Sequence, residues 1–562
     1  MQNDKPGLTL LGKLFSLLMI VGLIVLGMYV FERKKAEQAV PRYESSSETV
    51  RDEKASDTDT PDLMAELQTE VPSLPPAQPY VAKDNIVEVE LSEYAGYAGL
   101  IVANGGLEPN DQSYFTRTHG FKVKLTLSEE ESWPALNSGK LAASATTADV
   151  LPVYGHRFQV TVPAQIGFSR GADGIIVRSE IKRINDLKGK VVSSSQFTEA
   201  DFFIRYLAQE AGLTVSMLPD LSTRPDPQAV NLVYCTDAFA AGDLFLDDVM
   251  SGKNRLAGCV TWAPKTTEVV DQSDGRARLL TSNKNLLIVA DVLIVNRGFA
   301  EQNPKIVDGL VDGLLHGNQL VRNELDRHID VIAKAFNWTT ADVREEMAKI
   351  HLSNLPENLA FFSGAIDAAG SFGGIYQSAV YAYGKALIPS APDAERFMDL
   401  SALKRIEALG TYKDQTVQIA PIRQARQGPV EQDPLLSKDI RFFFEPNSAK
   451  LDMANASNLE NLQSIKQLLQ VSPGSTILLR GHVDDAMVPE FRKQGGEAFV
   501  RQMALQAMEL SKNRAGEVRN ILLSQYKVAA ERLQVTGRGW EEPVSDKSEQ
   551  NRRVEVYWFT VE

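Results

Sequence analysis

The stretch ADGIIVRSEIKRINDLKGKVV, Ala172–Val192, carries the pattern that decides the fold of most of this chain. It contains one short run rich in branched apolar residues, Gly174–Val177, and ends in a second, Lys190–Ser193, that extends one residue past it; both runs predict β-strands. A helix-length segment follows at Phe202–Ala211. The same alternation of strands and helices continues through residues 85–412, and it is typical of an α/β domain.

The remaining predicted elements follow the same α/β order in two separate units. In the first unit, strands are also predicted at Ile86–Leu91, Phe121–Leu127, Ala229–Tyr234 and Leu286–Asn296, and helices at Ile306–Glu324, Ile329–Ala335 and Thr340–Ile350. In residues 437–562, strands are predicted at Ile440–Phe444, Thr476–Gly481 and Arg553–Val561, with helices at Asn455–Leu469 and over about residues 497–525. A polar, proline-containing linker at 413–436 separates the two units.

Composition limits the classes of protein to which the chain can belong. Its 562 residues, 43% hydrophobic and 23% charged, have the balance of a globular protein with several domains. Lys and Arg number 59 against 73 Asp and Glu, and the net charge of −14 argues against nucleic acid as a partner. The His and Cys residues form no metal-binding or catalytic motif, so no metal, cofactor or enzymatic activity is predicted. Sequence alone leaves open whether Cys235 and Cys259 form a disulfide.

One uncharged apolar run, LFSLLMIVGLIVLGMYVF at Leu14–Phe31, interrupts the soluble pattern. Extended by Leu8–Gly12, it is long enough to cross a bilayer as a helix. We therefore predict a cytoplasmic segment at 1–13, a transmembrane helix at 14–31 and a disordered linker at 32–84, which is acidic and rich in Ser and Thr. A cleavable signal peptide is the alternative, although no small-residue cleavage site ends the run.

The C-terminal unit combines a cation on an apolar helix face with an anion at a strand end. The face of the predicted long helix comprises Met503, Ala507, Leu510, Arg514, Val518 and Leu522. A guanidinium at such a position requires an anionic partner, because an unpaired buried charge is costly. Asp484 follows the predicted strand Thr476–Gly481, at the rim of the sheet. Together they form a candidate zwitterion receptor, in which Asp484 binds an ammonium group and Arg514 binds a carboxylate.

Several motifs of residues 437–562 stand in a known order. They are IRFFFEPNSAKL (Ile440–Leu451), GHVDD (Gly481–Asp485), LSKNRAGEV (Leu510–Val518), RLQVTGRGWEEPV (Arg532–Val544) and NRRVEV (Asn551–Val556). In this order they resemble the OmpA-like peptidoglycan-binding domain, which outer-membrane anchoring proteins share with the MotB stator. The resemblance implies that Asp484 and Arg514 bind the diaminopimelate of the peptidoglycan stem peptide. The chain departs from the family in a longer segment between these residues and in Ala507, where the family often has Asn.

Two structural alternatives for these charges stay open at this point. Asp484 and Arg514 could bridge each other in a domain that serves only for docking. Arg552 and Arg553 are predicted to end the last helix and to pair with acids rather than to contact a ligand.

The middle unit carries a second resemblance. Its segments are LSEYAGYAGLIVANGG (Leu91–Gly106), ALNSGKLAASATTAD (Ala135–Asp149), the opening stretch Ala172–Val192, TWAP (Thr261–Pro264) and DVLIVNRGFAEQNPKIV (Asp291–Val307). Their order resembles periplasmic substrate-binding proteins of ABC transporters, of the nitrate, sulfonate, thiamine-precursor and phosphate group. The resemblance implies a type II clamshell, with lobes at 86–171 plus 289–412 and at 172–288, that closes on a small solute, an anion being one candidate. By analogy the ligand-binding residues are Tyr97, Thr146, Thr147, Asp173, Ser194, Ser195 and Trp262.

Peptidoglycan and a periplasmic clamshell both place the residues after the apolar run outside the cytoplasm. The sequence therefore predicts a single-pass inner-membrane protein with a cytoplasmic N-terminus, acting as a solute-binding receptor or scaffold tethered to the cell wall and contacting a membrane protein partner. One alternative is a MotB-type stator component, which the absence of Asp and Glu from the run opposes. The other is an envelope scaffold whose clamshell has lost its ligand.

Overall fold

The computed structural model describes residues 63–128, 132–365, 370–419, 435–444, 448–472 and 474–559. All of them belong to one unit, Thr60–Glu562. Within these residues, no helix combines the length and the apolar character needed to cross a bilayer. The predicted transmembrane helix at 14–31 and most of the two predicted linkers lie outside the described residues.

The strands of the described residues fall into three sheets. In chain order they are β1 (Ile86–Leu91), β2 (Lys122–Leu127), β3 (Ala143–Thr147), β4 (Val160–Ser169), β5 (Asp173–Arg178), β6 (Val191–Ser195), β7 (Thr214–Met217), β8 (Ala229–Cys235), β9 (Gly258–Trp262), β10 (Ala277–Ser282), β11 (Ala290–Asn296), β12 (Ile350–Leu352), β13 (Leu436–Ile440), β14 (Thr476–Gly481), β15 (Leu533–Gly537) and β16 (Val554–Phe559).

Helices connect these strands and cover the sheets. They are α1 (Ala98–Asn104), α2 (Trp133–Asn137), α3 (Val150–Tyr154), α4 (Glu199–Glu210), α5 (Ala238–Ser251), α6 (Lys265–Gln272), α7 (Arg297–Gln302), α8 (Pro304–Phe336), α9 (Thr340–Met347), α10 (Leu355–Ser363), α11 (Phe372–Leu387), α12 (Ser401–Leu409), α13 (Ala456–Val471), α14 (Val488–Ser524) and α15 (Ser548–Asn551). The helix α8 is interrupted at Glu324, the residue at which the first of the two helices predicted for this region ends.

Two six-stranded mixed sheets form the cores of two lobes. The order is β12-β4-β11-β3-β1-β2 in lobe 1 and β10-β5-β9-β6-β8-β7 in lobe 2. Strands β4, β8 and β11 are buried along their whole length, as their apolar sequences require. The chain crosses between the lobes twice, from β4 to β5 and from β10 to β11, so that lobe 2 is inserted into lobe 1. The predicted two-lobed α/β architecture is confirmed.

A separate four-stranded sheet, β13-β16-β14-β15, forms the C-terminal unit with α13 and α14. Strands β14 and β15 pair in parallel, which requires a long crossover, here α14. The unit packs against lobe 2 through β13: the Asn185 side-chain amide donates to the Ser437 carbonyl at 2.9 Å and its oxygen accepts from the Ser437 N–H at 2.8 Å.

Residues 63–82, which we call the strap, were expected to belong to a disordered linker, and the structure corrects this. The backbone N–H of Ala65 donates to the carbonyl of Tyr234 in lobe 2, and that of Gln78 donates to the carbonyl of Asn137 in lobe 1, both at 3.0 Å. The strap therefore contacts both lobes. The composition of the strap does not reveal that it is ordered, because backbone hydrogen bonds and apolar contacts supplied by the lobes offset the entropy of ordering the segment.

One strand was missed by the sequence prediction, and two predicted elements need correction. Strand β4 was not predicted, because Pro163 and Gly167 resemble turn residues; in the sheet, a register shift in the β4–β11 pairing accommodates the proline. The helix predicted at Thr340–Ile350 ends at Met347, and Ile350 begins the edge strand β12. The strand predicted at Ile440–Phe444 lies instead at β13, because the phenylalanines that follow β13 enter a pocket described below.

Candidate functional sites

A cavity of about 190 Å³, which we call the cleft, is lined by residues of both lobes. Six aromatic rings contribute to its walls: Tyr94, Tyr97, Trp133, Tyr154, Phe197 and Trp262. Four acidic side chains also line it: Asp173, Glu199, Asp237 and Asp291. The cleft thus combines aromatic walls with carboxylates.

The structure brings five of the seven predicted ligand-binding residues to the cleft. They are Tyr97, Thr147, Asp173, Ser195 and Trp262. Thr146 and Ser194 are buried in the lobes next to Thr147 and Ser195 and are not part of the lining. The physical reason is the alternation of a strand, in which successive side chains point to opposite faces of the sheet.

Asp173 stands at the first crossing between the lobes and is 4% exposed. The Asn283 side-chain amide donates to Asp173 Oδ2 at 2.6 Å, and the Ser169 hydroxyl donates to the same oxygen. The Gly171 N–H donates to Asn283 Oδ1 at 2.7 Å, which closes the turn. Burial raises the pKa of Asp173 to about 6, although the bonds from Ser169 and Asn283 act in the opposite direction.

Asp291 stands at the second crossing, directly opposite Thr147 in the β3–β11 ladder, and sequence reasoning did not select it. The Tyr97 hydroxyl donates to Asp291 Oδ1 at 3.3 Å, whereas Oδ2 has no hydrogen-bond partner among the described residues. The side chain is only 2% exposed. Burial, reinforced by the negative charges of Asp173 and Asp149, raises the pKa of Asp291 well above its usual range.

The charge of the lining opposes an anionic solute, the candidate considered from the sequence. Among the described residues that line the cleft, four are acidic and none is Lys, Arg or His. Arg205 lies in the core of lobe 2, where its Nε donates to Asp201 at 2.7 Å. An anion in the cleft would therefore lie among carboxylates with no cation from the lining to pair with it.

We expect Asp149→Asn to stabilise the ligand-free protein above pH 7, by on the order of 1–4 kcal/mol. Asp149 is fully buried, and burial raises its pKa to about 7. Because this pKa lies above the unfolded value, the folded state retains a proton that the unfolded state loses. Stability is therefore lost as pH rises from about 4 to 7.

Denaturant unfolding at pH 5 and pH 8.5 tests this expectation. The increase in the free energy of unfolding caused by Asp149→Asn should be small at pH 5 and large at pH 8.5. The control Asp330→Asn, an exposed change in lobe 1, should leave the free energy of unfolding unchanged at both pH values. A gain of equal size at both pH values would contradict the assigned pKa of Asp149.

A second cavity, of about 780 Å³, lies in the C-terminal unit, and we call it the C-terminal pocket. Asp484 and Arg514 both line it. Strand β14 ends at Gly481, where a Cβ would stand 2.0 Å from the Ser511 carbonyl oxygen, so only glycine allows this approach to α14. The close approach brings the turn after β14, with Asp484, to the face of α14 that carries Arg514.

The two charged groups of the C-terminal pocket have separate partners. Asp484 Oδ2 pairs with Arg552 Nη1 at 3.3 Å, and the Ala486 N–H donates to Asp484 Oδ1 at 3.2 Å. Arg514 Nε donates to the Ser448 carbonyl at 3.3 Å. Burial and the charge of Arg552 lower the pKa of Arg514, while Asp484 acts to raise it. In the described part of the chain Asp484 pairs with Arg552 and not with Arg514, which removes the alternative of a simple bridge.

Comparison with known proteins finds a family model and two relatives that match part of this chain. Residues 443–556 match the model of the OmpA family. The chain is also 24% identical over 145 residues to outer membrane protein Omp38 of two strains of Acinetobacter baumannii, covering 25% of this chain and 36% of that protein. It therefore spans about a third of the length of these relatives. The match confirms the resemblance predicted for the C-terminal unit, which we call the OmpA-like domain.

Two solved structures are similar to part of this chain. The periplasmic aliphatic sulphonate binding protein SsuA from Escherichia coli has a TM-score of 0.42 and 16% identity, over 57% of this chain and 100% of SsuA. The periplasmic nitrate-binding protein NrtA from Synechocystis PCC 6803 has a TM-score of 0.42 and 11% identity, over 58% of this chain and 89% of NrtA. Both structures are described as periplasmic binding proteins.

The OmpA-like domain contains aromatic residues that sequence reasoning missed. Phe491 and Trp540 line the C-terminal pocket, with their ring centroids 6.2 Å apart. Phe444 lies beneath Arg514, its ring centroid 5.1 Å from the guanidinium carbon. Phe491 comes from the part of α14 before its break at Gly495 and Gly496. The longer segment noted between Asp484 and Arg514 thus supplies part of the pocket wall.

Arg552 and Arg553 both line the C-terminal pocket of the OmpA-like domain, and each pairs with an acid. Arg553 pairs with Glu555 at 2.5 Å in the sheet, which is a structural role. Arg552 pairs with an acid as expected, but that acid is Asp484, and both residues line the C-terminal pocket. Pairing with acids is what the sequence predicted for both arginines, and Arg552 directly follows the last helix, α15.

His482, Glu542 and Glu555 of the OmpA-like domain come close enough together for a metal ion. Arg480 pairs with Glu542 at 2.8 Å and with Glu555 at 3.4 Å. These carboxylates already have cationic partners, so the cluster is better described as an ion-pair network than as a metal site.

Proposed function

We propose that this protein is a solute-binding receptor or scaffold of the periplasm, anchored in the inner membrane by the apolar run 14–31 and tethered to peptidoglycan by its OmpA-like domain. The observation that carries the proposal is the C-terminal pocket, in which Asp484 and Arg514 face one cavity large enough for an amino acid side chain. The family match over residues 443–556 supports the same role.

The charges of the C-terminal pocket suit a group that is both an amine and a carboxylate. Arg514 offers a planar pair of N–H donors to a carboxylate, and the ring of Phe444 supports the guanidinium plane. Asp484, with 17% of its side chain exposed, accepts an ammonium group. The far end of diaminopimelate in a stem peptide carries both groups on one carbon, so one residue of the wall fills both positions.

The two lobes provide the second half of the proposed function. A solute bound in the cleft contacts residues of both lobes and favours their closed arrangement. The strap connects the N-terminal side of the chain to both lobes through Ala65 and Gln78. In this proposal the occupied receptor presents a changed surface to a membrane protein partner while the cell wall holds it in place.

Cosedimentation of the full chain in detergent with purified sacculi tests the wall-binding half. We expect retention on diaminopimelate-containing sacculi, and we expect free diaminopimelate to compete with it. Sacculi that carry Lys in place of diaminopimelate are the matched control, because Lys lacks the second carboxylate and should retain much less protein. Equal retention on both kinds of sacculi would contradict recognition of a zwitterion.

A further inference from the structure

The cleft holds two buried carboxyl groups that have no cationic partner among the described residues of its lining. Asp173 and Asp291 line it at the two crossings between the lobes, 4% and 2% exposed. Asp291 is part of the cavity wall, and its Oδ2 is buried without a hydrogen-bond partner among the described residues. A buried carboxylate oxygen without a partner costs free energy, and a ligand group that pairs with it would remove that cost.

The aromatic side chains of the lining also favour a positively charged ligand. The aromatic rings of Tyr94 and Tyr97 meet edge-on, with centroids 5.2 Å apart, and Trp133, Tyr154 and Trp262 complete the aromatic walls. Aromatic faces attract cations. The cavity of about 190 Å³ is smaller than the range of roughly 300–1,000 Å³ that is typical of pockets for drug-sized ligands.

We propose that the cleft binds a small organic cation, an amine or a quaternary ammonium compound, with Asp173 and Asp291 as its ion-pair partners and the aromatic rings as its walls. This inference rests on the proposed function, that the lobes bind a solute, and it names the class of that solute. It differs from the anion considered from the sequence because the lining offers carboxylates in the place where an anion needs cations.

The pH dependence of ligand affinity distinguishes a cation in the cleft from a neutral or anionic ligand. Burial raises the pKa of Asp173 to about 6 and that of Asp291 above its usual range. The groups that face them are Asp149, Glu199, Tyr94 and Tyr97, with Ser169 and Asn283 as hydrogen-bond donors. A cation binds the ionised carboxylates, so its affinity should increase as pH rises from 5.5 to 8. An anion bound by protonated carboxyl groups would show the opposite change.

The experiment is calorimetric titration of the full chain in detergent at pH 5.5 and pH 8. The amine probes are methylamine, ethanolamine, choline, putrescine and spermidine, and the anionic probes are methanesulfonate and nitrate. We expect an amine to bind more tightly at pH 8, and Asp173→Asn and Asp291→Asn each to weaken its binding by about tenfold or more. Asp271→Asn, an exposed change in lobe 2 outside the cleft, is the matched control and should bind like the wild type.

Two other outcomes would overturn the inference, and they differ in what they mean for the solute-binding function. Binding of methanesulfonate or nitrate that survives Asp291→Asn would replace the cation with an anion and leave the solute-binding function intact. Absence of binding by every probe would overturn the inference and would leave the receptor without support, in favour of a scaffold. If Asp291→Asn fails to fold, the pH dependence of the wild type still decides, because only a cation gains affinity at high pH.

Discussion

Arg514→Ala is expected to release the full chain from purified sacculi, lowering the retained fraction by about tenfold or more. The guanidinium is part of the wall of the C-terminal pocket and is held by the Ser448 carbonyl and the ring of Phe444. Its removal leaves the ligand carboxylate in the pocket without its charged partner. Alanine favours the helical conformation, so α14 itself should persist.

Matched variants separate recognition from general charge effects. Arg501→Ala removes the same charge from an exposed position of α14, and we expect it to keep wild-type retention. Asp484→Asn should lose retention like Arg514→Ala, whereas Asp485→Asn, exposed and outside the pocket lining, should not. Arg514→Lys should recover part of the binding, because Lys keeps the charge but not the planar pair of donors. Full retention of Arg514→Ala and Asp484→Asn would refute the wall-binding site.

Asp201→Ala is expected to destabilise lobe 2 by about 3–5 kcal/mol, the largest effect on stability that we predict. Asp201 is fully buried and accepts from Arg205 Nε at 2.7 Å and from the Tyr234 hydroxyl at 3.1 Å. The Phe197 N–H donates to its other oxygen at 3.2 Å. Without Asp201 the buried guanidinium has lost its negative partner, and the backbone at Phe197, in the cleft wall, has lost its acceptor.

A double-mutant cycle identifies the cause of that destabilisation. Arg205→Met alone should also destabilise, but Asp201→Ala combined with Arg205→Met should cost much less than the sum of the single changes, because no buried charge is left unpaired. The free energies of unfolding for the cycle come from urea unfolding of the full chain, followed through the first transition. Additive single and double effects would show that the pair contributes only packing. The exposed Asp271→Asn, in the same lobe, provides the baseline.

The local sequence pattern was enough to predict those site residues whose position depends on a single strand or helix. Asp484 could be predicted because it comes directly after an apolar strand, and Arg514 because it interrupts an apolar helix face. Asp173 and Trp262 were found through motifs that stand at strand ends. The choice between Thr146 and Thr147 could not be made, because a one-residue change reverses the face of a strand and the face is set by the neighbouring strands.

The sequence by itself determined the α/β class and the opposite charges of the C-terminal unit, because strand and helix periodicity and strand-end position are local properties of the chain. The two crossings between the lobes were implied only by the resemblance to periplasmic substrate-binding proteins. Only the tertiary structure decided that Asp291 joins Asp173 in the cleft, that Phe491 and Trp540 line the C-terminal pocket and that the strap packs on both lobes. These relations join residues far apart in the chain, and the burial that alters the pKa values of the carboxyl groups exists only once the sheets have assembled.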